Sequence, residues 1–422
     1  MKIRFYNARI MTAQNDCSII NGELHTKDSL ISYVGADGKQ GEVFDREIDC
    51  KGNLIIPGFK DAHTHSGMTF LRSYADDMPL QDWLFNQVFP REDKLTPDDI
   101  YPLTKLAIME YLSSGITSCL EMYFFRDSIA SAAVDSGYRM VLCGAVSGGA
   151  ENIKTLSDEY SRFNNYNDLI SYQLGFHAEY TTSLELMREI ARLSQSLKAP
   201  VYTHNSETAK EVAECKERHG KTPTALFEEL GMLEYGGGGY HCVHFDDNDM
   251  DIFKRRNMWA ITNPGSNTKL ASGIAPICKM QEKGINLAIG TDGPASNNCL
   301  DMFREMFLVT GLQKLRQNDA AACDADSVLQ MAVKGGALAM GLTDCDCLAE
   351  GKKADLVLID LNQPNMQPLN NIGKNLVYSG SKSNVKITMV NGKILYENGE
   401  YFIGESPEDI YGKANRIAER LR

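Results

Sequence analysis

The alternation of apolar and polar residues divides the chain into three parts. In residues 1–52, short runs with a period of two are separated by Gly, Asp and Asn, which is typical of β-strands joined by turns. The same alternation of apolar and polar residues recurs in residues 353–361 and 385–402, where Asn391-Gly392 indicates a tight hairpin turn. We therefore predict one small β-sandwich domain assembled from both ends of the chain. Two separate β appendages would give a similar pattern.

The middle part alternates short apolar runs with amphipathic stretches of helical period, the clearest at 99–115, 183–197 and 246–257. The apolar runs give eight candidate strands at residues 53–65, 115–123, 138–146, 171–180, 199–207, 240–245, 258–264 and 285–293. Eight βα repeats over roughly 300 residues predict a TIM (β/α)8 barrel. A doubly wound sheet is the alternative, but it would not usually place chemistry at the ends of so many strands. The glycine run 236–239 is expected to be a loop before the sixth strand.

These patterns predict the domain boundaries. The first part of the β-sandwich covers residues 1–56, the barrel 57–350, the second part of the sandwich 351–405, and a C-terminal helix 406–422. Residues 410–422 have the amphipathic period of a helix that packs on the body or on a partner subunit.

Composition and charge narrow the classes of function. The formal net charge is −13, which argues against nucleic acid as a partner because phosphate binding needs a positive field. No apolar run reaches the roughly 18 residues of a membrane span, and the N-terminus lacks the features of a signal peptide. The 11 cysteines are scattered, and the nearest pair, Cys345 and Cys347, does not have zinc-finger spacing. We therefore expect a cytoplasmic protein with reduced thiols and no membrane contact.

Polar residues follow most of the candidate barrel strands at their C-terminal ends. They are His63 and His65 (first strand), His177 (fourth), His204 and Glu207 (fifth), His241 (sixth) and Asp292 (eighth). In a barrel these ends converge on one mouth. Side chains along a strand alternate in direction, so positions 63 and 65 face the same way and offer two imidazoles to one point. Imidazole nitrogen is a good ligand for zinc or a similar divalent ion.

Each of these residues also has a purely structural interpretation. A lone histidine is more often a core or surface residue than a ligand, and we interpret His25 and His219 in that way. Asp292 could cap the following helix. His244, three residues beyond His241, either supports the site residues from behind or is purely structural, and the structural interpretation is favoured. The coincidence of several metal-compatible groups at one rim nevertheless favours a metal site.

Four segments carry a resemblance to a known family. Residues 57–84 (PGFKDAHTHSGMTFLRSYADDMPLQDWL), 203–208 (THNSET), 241–244 (HCVH) and 290–298 (GTDGPASNN) resemble the amidohydrolase superfamily. More closely they resemble its branch of methylthioadenosine and S-adenosylhomocysteine deaminases, with related triazine hydrolases and guanine deaminases. The similarity covers nearly the whole chain, including the split β domain.

The resemblance implies one divalent metal ion per chain. Its ligands would be His63, His65, His204 and Asp292, with zinc favoured and iron or manganese as alternatives. Two-metal members of the superfamily place a modified lysine at the end of the fourth strand. Residues 172–180 (YQLGFHAEY) have no lysine there, so we expect a single metal.

The resemblance also implies three catalytic roles in the hydrolytic deamination of an adenine-type ring. Asp292 would accept the proton of the attacking water and pass it to the departing ammonia. Glu207 would protonate a ring nitrogen and also contact the substrate. His241 would orient the nucleophile and stabilise the tetrahedral intermediate.

Four further residues match substrate-binding positions of the family. His177 matches a substrate contact, and Glu92 matches a glutamate that binds ribose hydroxyls in nucleoside-using members. From its charged surroundings alone, Glu92 would be interpreted as a solvated residue of the run REDK. Ser296 matches another pocket position. Trp83 is expected either to form an apolar wall for the purine or to belong to the core.

One feature departs from the family pattern. Relatives that accept S-adenosylhomocysteine use arginines after the third strand to hold its terminal carboxylate. This chain has Cys143 where an arginine is expected, and Lys154 would be a poor substitute because it is a point charge on a flexible stem. Smaller adenine nucleosides are therefore favoured over S-adenosylhomocysteine.

The predicted function is metal-dependent hydrolytic deamination of an adenine nucleoside to the inosine analogue plus ammonia. The candidate substrates are 5′-methylthioadenosine, 5′-deoxyadenosine, adenosine and S-adenosylhomocysteine. A deaminase or hydrolase of another heterocycle, such as guanine, a pterin or a triazine, is the first alternative. A catalytically inactive scaffold is the alternative from another class. The resemblance also implies a homo-oligomer.

Overall fold

Strands from both ends of the chain form one mixed sheet, called here the end sheet. The computed structural model describes residues 1–36, 38, 41–147 and 152–422. The end sheet contains β1 (Lys2–Met11), β2 (Ile19–Lys27), β3 (Leu30–Gly35), β4 (Arg46–Asp49), β5 (Leu54–Pro57), β14 (Leu356–Ile359), β15 (Val385–Val390), β16 (Lys393–Glu397) and β17 (Glu400–Tyr401). Its order is β17-β16-β15-β14-β5-β1-β2-β3, with β4 paired to β1. The antiparallel pairing of β14 with β5 joins the two chain ends, which confirms the predicted β domain.

A second sheet of eight parallel strands forms the barrel. Its members are β6 (Phe59–Thr64), β7 (Ile116–Glu121), β8 (Arg139–Cys143), β9 (Ile170–Gly175), β10 (Val201–Asn205), β11 (Gly237–His241), β12 (Trp259–Thr262) and β13 (Asn286–Ile289). Each strand pairs in parallel with the next along the chain. The first and last strands meet at the mouth, where the Asp292 amide donates to the His63 carbonyl at 2.9 Å. The predicted TIM barrel is confirmed.

Helices cover the outside of the barrel and extend to the C-terminus. They are α1 (Leu80–Trp83), α2 (Phe89–Glu92), α3 (Pro97–Ser113), α4 (Arg126–Ser136), α5 (Ile153–Phe163), α6 (Leu184–Leu197), α7 (Ala209–His219), α8 (Pro223–Glu229), α9 (Asp247–Arg255), α10 (Pro264–Lys269), α11 (Ile277–Glu282), α12 (Met302–Gln317), α13 (Ala325–Gln330), α14 (Gly336–Ala339), α15 (Ile372–Tyr378) and α16 (Pro407–Arg420). Short 3₁₀ turns occur at Ser66–Leu71, Glu179–Thr181, Pro364–Met366 and Lys382–Asn384, and π-helical turns at Leu84–Val88 and Met331–Gly335. The predicted helices near 99–115, 183–197, 246–257 and 410–422 are all present as α3, α6, α9 and α16.

The first predicted strand divides at Gly58. β5 belongs to the end sheet and β6 to the barrel. Between them the Gly58 amide donates to the Asp355 carbonyl at 3.1 Å, and a Cβ at Gly58 would lie 2.1 Å from the Thr117 side chain. The chain therefore passes from one sheet to the other where a side chain has no room. The domain boundaries given above stay predictions.

The interpretation of the glycine run as a loop is wrong for three of its four residues. Gly237–Gly239 belong to β11, and only Gly236 precedes the strand. Gly237 has φ +121°, and a Cβ there would lie 1.9 Å from the Val201 carbonyl oxygen. The backbones of β10 and β11 approach so closely at this point that a side chain would prevent their pairing.

A buried ion cluster joins the bottom of the barrel to the end sheet. Arg139 donates to Asp355 with Nε–Oδ2 at 2.7 Å, and Lys60 Nζ lies 3.6 Å from the same oxygen. The two cations hold the pKa of Asp355 well below its usual range, although burial alone would raise it. All 11 cysteines are free thiols. Within the described ranges, none of the helices combines the length and the apolarity that crossing a bilayer would require.

Candidate active site

Four metal-compatible side chains meet at the mouth of the barrel. His63 lies in β6, His65 directly after it, His204 in β10, and Asp292 three residues beyond β13. One ligand atom of each lies within 4.8 Å of the corresponding atoms of the others. Asp292 Oδ1 is 3.4 Å from His63 Nε2 and 3.1 Å from His65 Nε2. The tertiary structure therefore brings together the complete predicted ligand set.

Backbone carbonyls orient two of the three imidazoles. His65 Nδ1 lies 2.5 Å from the Met122 carbonyl oxygen, and His204 Nδ1 lies 2.8 Å from that of His177. Each contact leaves Nε2 free to face the common centre. Such outer hydrogen bonds select the tautomer of a ligating histidine. The third ring, His63, stacks on Tyr240 with centroids 3.6 Å apart.

The residues present fit a divalent metal ion. His63 is fully buried, yet neither of its ring nitrogens has a hydrogen-bond partner among the described residues. Burial lowers the pKa of His63 to about 3 and that of His204 well below its ordinary value, so both rings are neutral, which is the form that binds metals. Three imidazoles and one carboxylate are ligand types typical of zinc. These residues constitute a metal-binding site.

The two carboxylate oxygens of Asp292 have different partners. Oδ1 faces the histidines, whereas Oδ2 accepts hydrogen bonds from Ser266 Oγ at 2.6 Å and Ser296 Oγ at 2.7 Å. Burial opposes ionisation, but its contacts with His63 and His65 bring the pKa of Asp292 well below its ordinary value. The predicted pocket residue Ser296 thus contacts a metal ligand in this structure, and Ser266 was missed by the sequence analysis.

Glu207 and His241 lie side by side next to the metal ligands. Glu207 Oε2 is 3.9 Å from His241 Nε2, and both side chains are buried. Ser272 Oγ donates to Glu207 Oε1 at 3.2 Å, and His241 Nδ1 lies 2.8 Å from Asn267 Oδ1. Burial raises the pKa of Glu207, which favours its protonated form. Ser272 and Asn267 were missed, although both follow the seventh strand in a segment rich in polar residues.

The backbone is strained at two of these positions. His241 has φ +69° and Asp292 has φ +59°, values that residues other than glycine adopt at a cost of about 1–3 kcal/mol each. Such residues persist only where the surrounding structure holds them, and they occur frequently at functional sites.

Two of the predicted substrate-binding residues, His177 and Glu92, lie close to the metal ligands. The His177 ring is 4.8 Å from that of His204, and burial lowers the pKa of His177 to about 4. Glu92 ends α2 and accepts a hydrogen bond from Tyr123 Oη at 2.6 Å. Burial raises the pKa of Glu92 to about 7. Trp83 is 5% exposed and packs in the hydrophobic core, and its role as an apolar wall for the purine stays a prediction.

The remaining histidines have partners of their own. His244 Nε2 lies 2.8 Å from the Ser272 carbonyl oxygen, behind Glu207. His25 is buried in the end sheet beside Glu23, and His219 lies 3.2 Å from a buried glutamate on the outside of the barrel. The latter two are therefore not part of the mouth.

Four buried carboxylates support the loops that carry the site. Each accepts a hydrogen bond from a backbone amide next to a site residue. They are Asp61 (from Thr291, 2.8 Å), Glu121 (from Ser66, 2.8 Å), Glu211 (from Glu207, 2.7 Å) and Glu305 (from Gly265, 2.8 Å). Sequence analysis missed them; acidic residues within apolar runs, such as KDAHT and ITSCLE, were the available signal.

Neither Cys143, which stands where an arginine is expected, nor Lys154, the possible substitute, reaches into the mouth. Cys143 is buried inside the barrel, where its sulfur accepts a hydrogen bond from Tyr240 Oη at 3.6 Å. The Lys154 side chain is 79% exposed and pairs with Asp158 on the surface of α5. Residues 148–151, which follow the third barrel strand, lie outside the described residues.

Comparison with known proteins agrees with this geometry. The model of the amidohydrolase family matches residues 54–395. A 5-methylthioadenosine/S-adenosylhomocysteine deaminase of Thermoanaerobacter pseudethanolicus is 37% identical, with 100% of both chains covered. The protein of the same name from Moorella thermoacetica is 38% identical over 95% of this chain and 97% of its own.

A solved structure extends the agreement to the whole fold. The crystal structure of an adenosine deaminase from Xanthomonas campestris with bound zinc has a TM-score of 0.94 and 30% identity, covering 100% of this chain and 98% of its own. The resemblance to the deaminase branch is therefore confirmed, and the chain belongs to the amidohydrolase family.

Proposed function

We propose that this protein is a metal-dependent hydrolytic deaminase of an adenine nucleoside. The observation that carries the proposal is the position of Glu207 and His241, 3.9 Å apart, beside the three histidines and the aspartate of the metal site. This arrangement combines a proton donor, a polar group for a developing oxyanion and a metal site at one mouth. The deaminases among its relatives support the choice of reaction.

The side chains divide the reaction between them. His63, His65, His204 and Asp292 would hold a divalent ion, which when bound would lower the pKa of water toward about 7 and so supply a nucleophile at neutral pH. Asp292 accepts the proton of the nucleophile and returns it to the leaving amine, while Ser266 and Ser296 hold its other oxygen. Glu207 donates a proton from its carboxyl group to a ring nitrogen, where the product keeps it, and regains one from the hydroxyl added to the ring as ammonia leaves; its raised pKa suits the first step. His241, oriented by Asn267, stabilises the charge that develops on the attacked carbon's oxygen.

The proposed metal is zinc. The donor set of three imidazoles and one carboxylate supports this choice, as does the zinc in the adenosine deaminase of similar fold. Iron and manganese share the preference for such ligands and are distinguished by metal analysis and by the activity of enzyme loaded with each metal.

Glu92 supports a nucleoside as the substrate. A carboxylate can accept two hydrogen bonds from adjacent ribose hydroxyls, and Glu92 is partly exposed at the mouth. The absence of a matching arginine at Cys143, and the exposed position of Lys154, favour adenosine, 5′-deoxyadenosine or 5′-methylthioadenosine over S-adenosylhomocysteine.

The proposal also includes a cytoplasmic location and a homo-oligomer. The 11 free thiols, most of them buried, support a reducing compartment. The family resemblance supports self-association, which light scattering on the purified protein tests directly.

The experiment that tests the function is a screen for ammonia release. Metal-loaded enzyme is assayed with adenosine, 5′-methylthioadenosine, 5′-deoxyadenosine, S-adenosylhomocysteine, guanine and cytosine. We expect turnover of the adenine nucleosides, with the smaller ones preferred to S-adenosylhomocysteine. Turnover of guanine alone would instead support a deaminase of free bases, and no ammonia from any substrate would refute the proposal.

A further inference from the structure

A hydrogen bond connects the helical segment of residues 80–92 to the end of the second barrel strand. Residues 80–92 form α1, a π-helical turn and α2, and Glu92 is the last residue of this segment. Tyr123 lies two residues beyond the end of β7, and its hydroxyl donates to Glu92 Oε1 at 2.6 Å. Among the described residues, no other side chain donates to this carboxylate.

Tyr123 is itself held in place from two sides. Its ring packs against Gly67, where a Cβ would lie 2.4 Å from the ring carbons. Its carbonyl oxygen accepts a hydrogen bond from Arg126 Nη1 at 2.9 Å, and Arg126 Nε pairs with Glu159 at 2.7 Å. The tyrosine hydroxyl therefore points from a rigid part of the barrel toward a residue on a short helix.

The chemistry of this pair makes it a stable donor and acceptor. Burial raises the pKa of Tyr123 well above its ordinary value, so the phenol keeps its proton. Burial raises the pKa of Glu92 to about 7, and the hydrogen bond from Tyr123 opposes that rise, so the carboxylate form predominates above about pH 7, where the kinetic test is carried out. A hydrogen bond to a carboxylate is stronger than one between neutral groups. A carboxylate has about four acceptor positions, and Tyr123 occupies one of them. The Glu92 carboxylate therefore keeps acceptor positions for two hydroxyl groups, and the hydrogen bond from Tyr123 fixes the orientation of the carboxylate.

We propose that Tyr123 is a positioning residue that fixes the Glu92 carboxylate for binding a vicinal diol, and thereby sets the preference for ribosides. This inference rests on the proposed function, because it assumes that a ribose lies beside Glu92. Tyr123 does not touch the reacting atoms in this arrangement. Its contribution is therefore to substrate binding and not to the chemical step.

The test compares adenosine with its 2′,3′-dideoxy analogue in the metal-loaded enzyme. We expect Tyr123→Phe to raise the KM for adenosine about 10-fold, to change kcat little, and to leave the KM for the dideoxy analogue unchanged. Phenylalanine keeps the ring against Gly67, so folding is preserved. Tyr101→Phe is the matched control, because Tyr101 Oη also donates to a carboxylate, that of Asp135, at 2.8 Å, but away from the mouth.

A double variant distinguishes positioning from a general structural role. In a Glu92→Ala background, Tyr123→Phe should have no further effect on the preference for adenosine over the dideoxy analogue. Equal losses on both substrates, or independent effects of the two substitutions, would overturn the inference while leaving the deaminase proposal intact. No deamination of either substrate by the unmodified enzyme would overturn both.

Discussion

Ser266 donates a hydrogen bond of 2.6 Å to Asp292 Oδ2, although the two residues follow different barrel strands. This contact, together with that from Ser296, turns Oδ1 of the carboxylate toward the histidines. A metal ligand that must also transfer a proton depends on such an orientation.

The first prediction concerns Ser266. Ser266→Ala should lower kcat about 10-fold or more while the enzyme retains its metal, because Asp292 keeps its place but loses one of the two donors on Oδ2. Steady-state kinetics and metal analysis of the same preparation measure both effects. Ser194→Ala, which removes a buried serine hydroxyl bonded to the Ala199 carbonyl in another part of the barrel, should leave kcat unchanged. Equal rates for Ser266→Ala and the wild type would remove Ser266 from the orientation of Asp292.

The second prediction concerns the metal site. His204→Ala should weaken metal binding by more than roughly 10-fold, because it removes one of four ligands and not merely an outer partner. Metal content after dialysis against a weak chelator, measured by mass spectrometry, shows the difference. His219→Ala removes a histidine outside the mouth and should retain metal like the wild type. If both variants kept equal amounts of metal, the four-residue site would be refuted.

The third prediction separates proton transfer from metal binding at Glu207. Glu207→Gln should keep the metal but lose about 10²–10⁴-fold in kcat, since the amide can accept the Ser272 hydrogen bond but cannot protonate the ring. Metal analysis and an ammonia-release assay together test this. The exposed Glu185→Gln on α6 is the matched control, because it makes the same substitution away from the mouth and should leave kcat unchanged. Near-normal turnover of Glu207→Gln would exclude the residue as the acid.

The fourth prediction concerns stability and pH at Glu305. Burial raises the pKa of Glu305 in the folded protein to about 8 from its ordinary 4.5. Between these values the folded protein binds a proton that the unfolded chain lacks, so this group makes stability fall as pH rises, by up to about 1.4 kcal/mol per pH unit.

Glu305→Gln should remove the contribution of this group to the pH dependence of the free energy of unfolding. The difference in free energy of unfolding between about pH 5.5 and about pH 7.5 should shrink by roughly 2 kcal/mol, as measured by urea unfolding at matched metal content. Other buried acids, such as Asp61, contribute to both proteins and cancel in the comparison. The exposed Glu282→Gln should keep the wild-type slope, and an unchanged slope in Glu305→Gln would contradict the prediction.

The position of the metal site was predictable because strand geometry is regular, and the resemblance to the amidohydrolases implied which residues of that rim are the ligands. Alternation places His63 and His65 on one side of the first barrel strand, and parallel pairing brings His204 and Asp292 to the same rim. The partners of these residues were not predictable. Single polar residues such as Ser266, Asn267 and Tyr123 follow no periodic pattern. The segment that contains Ser266 and Asn267 also has the composition of an ordinary helix N-terminus.

The amino-acid sequence by itself determined the barrel, the end sheet drawn from both termini, and a rim of polar residues suited to a metal; the choice of His63, His65, His204 and Asp292 as its ligands came from the family resemblance. These features follow from periodic burial and from residue types that repeat at strand ends. Only the tertiary structure decided that Gly237–Gly239 pair within a strand, that Ser266 and Ser296 share one oxygen of Asp292, and that Tyr123 holds Glu92. The physical reason is that such contacts depend on distances of a few ångströms between segments far apart in the chain, which local periodicity does not encode.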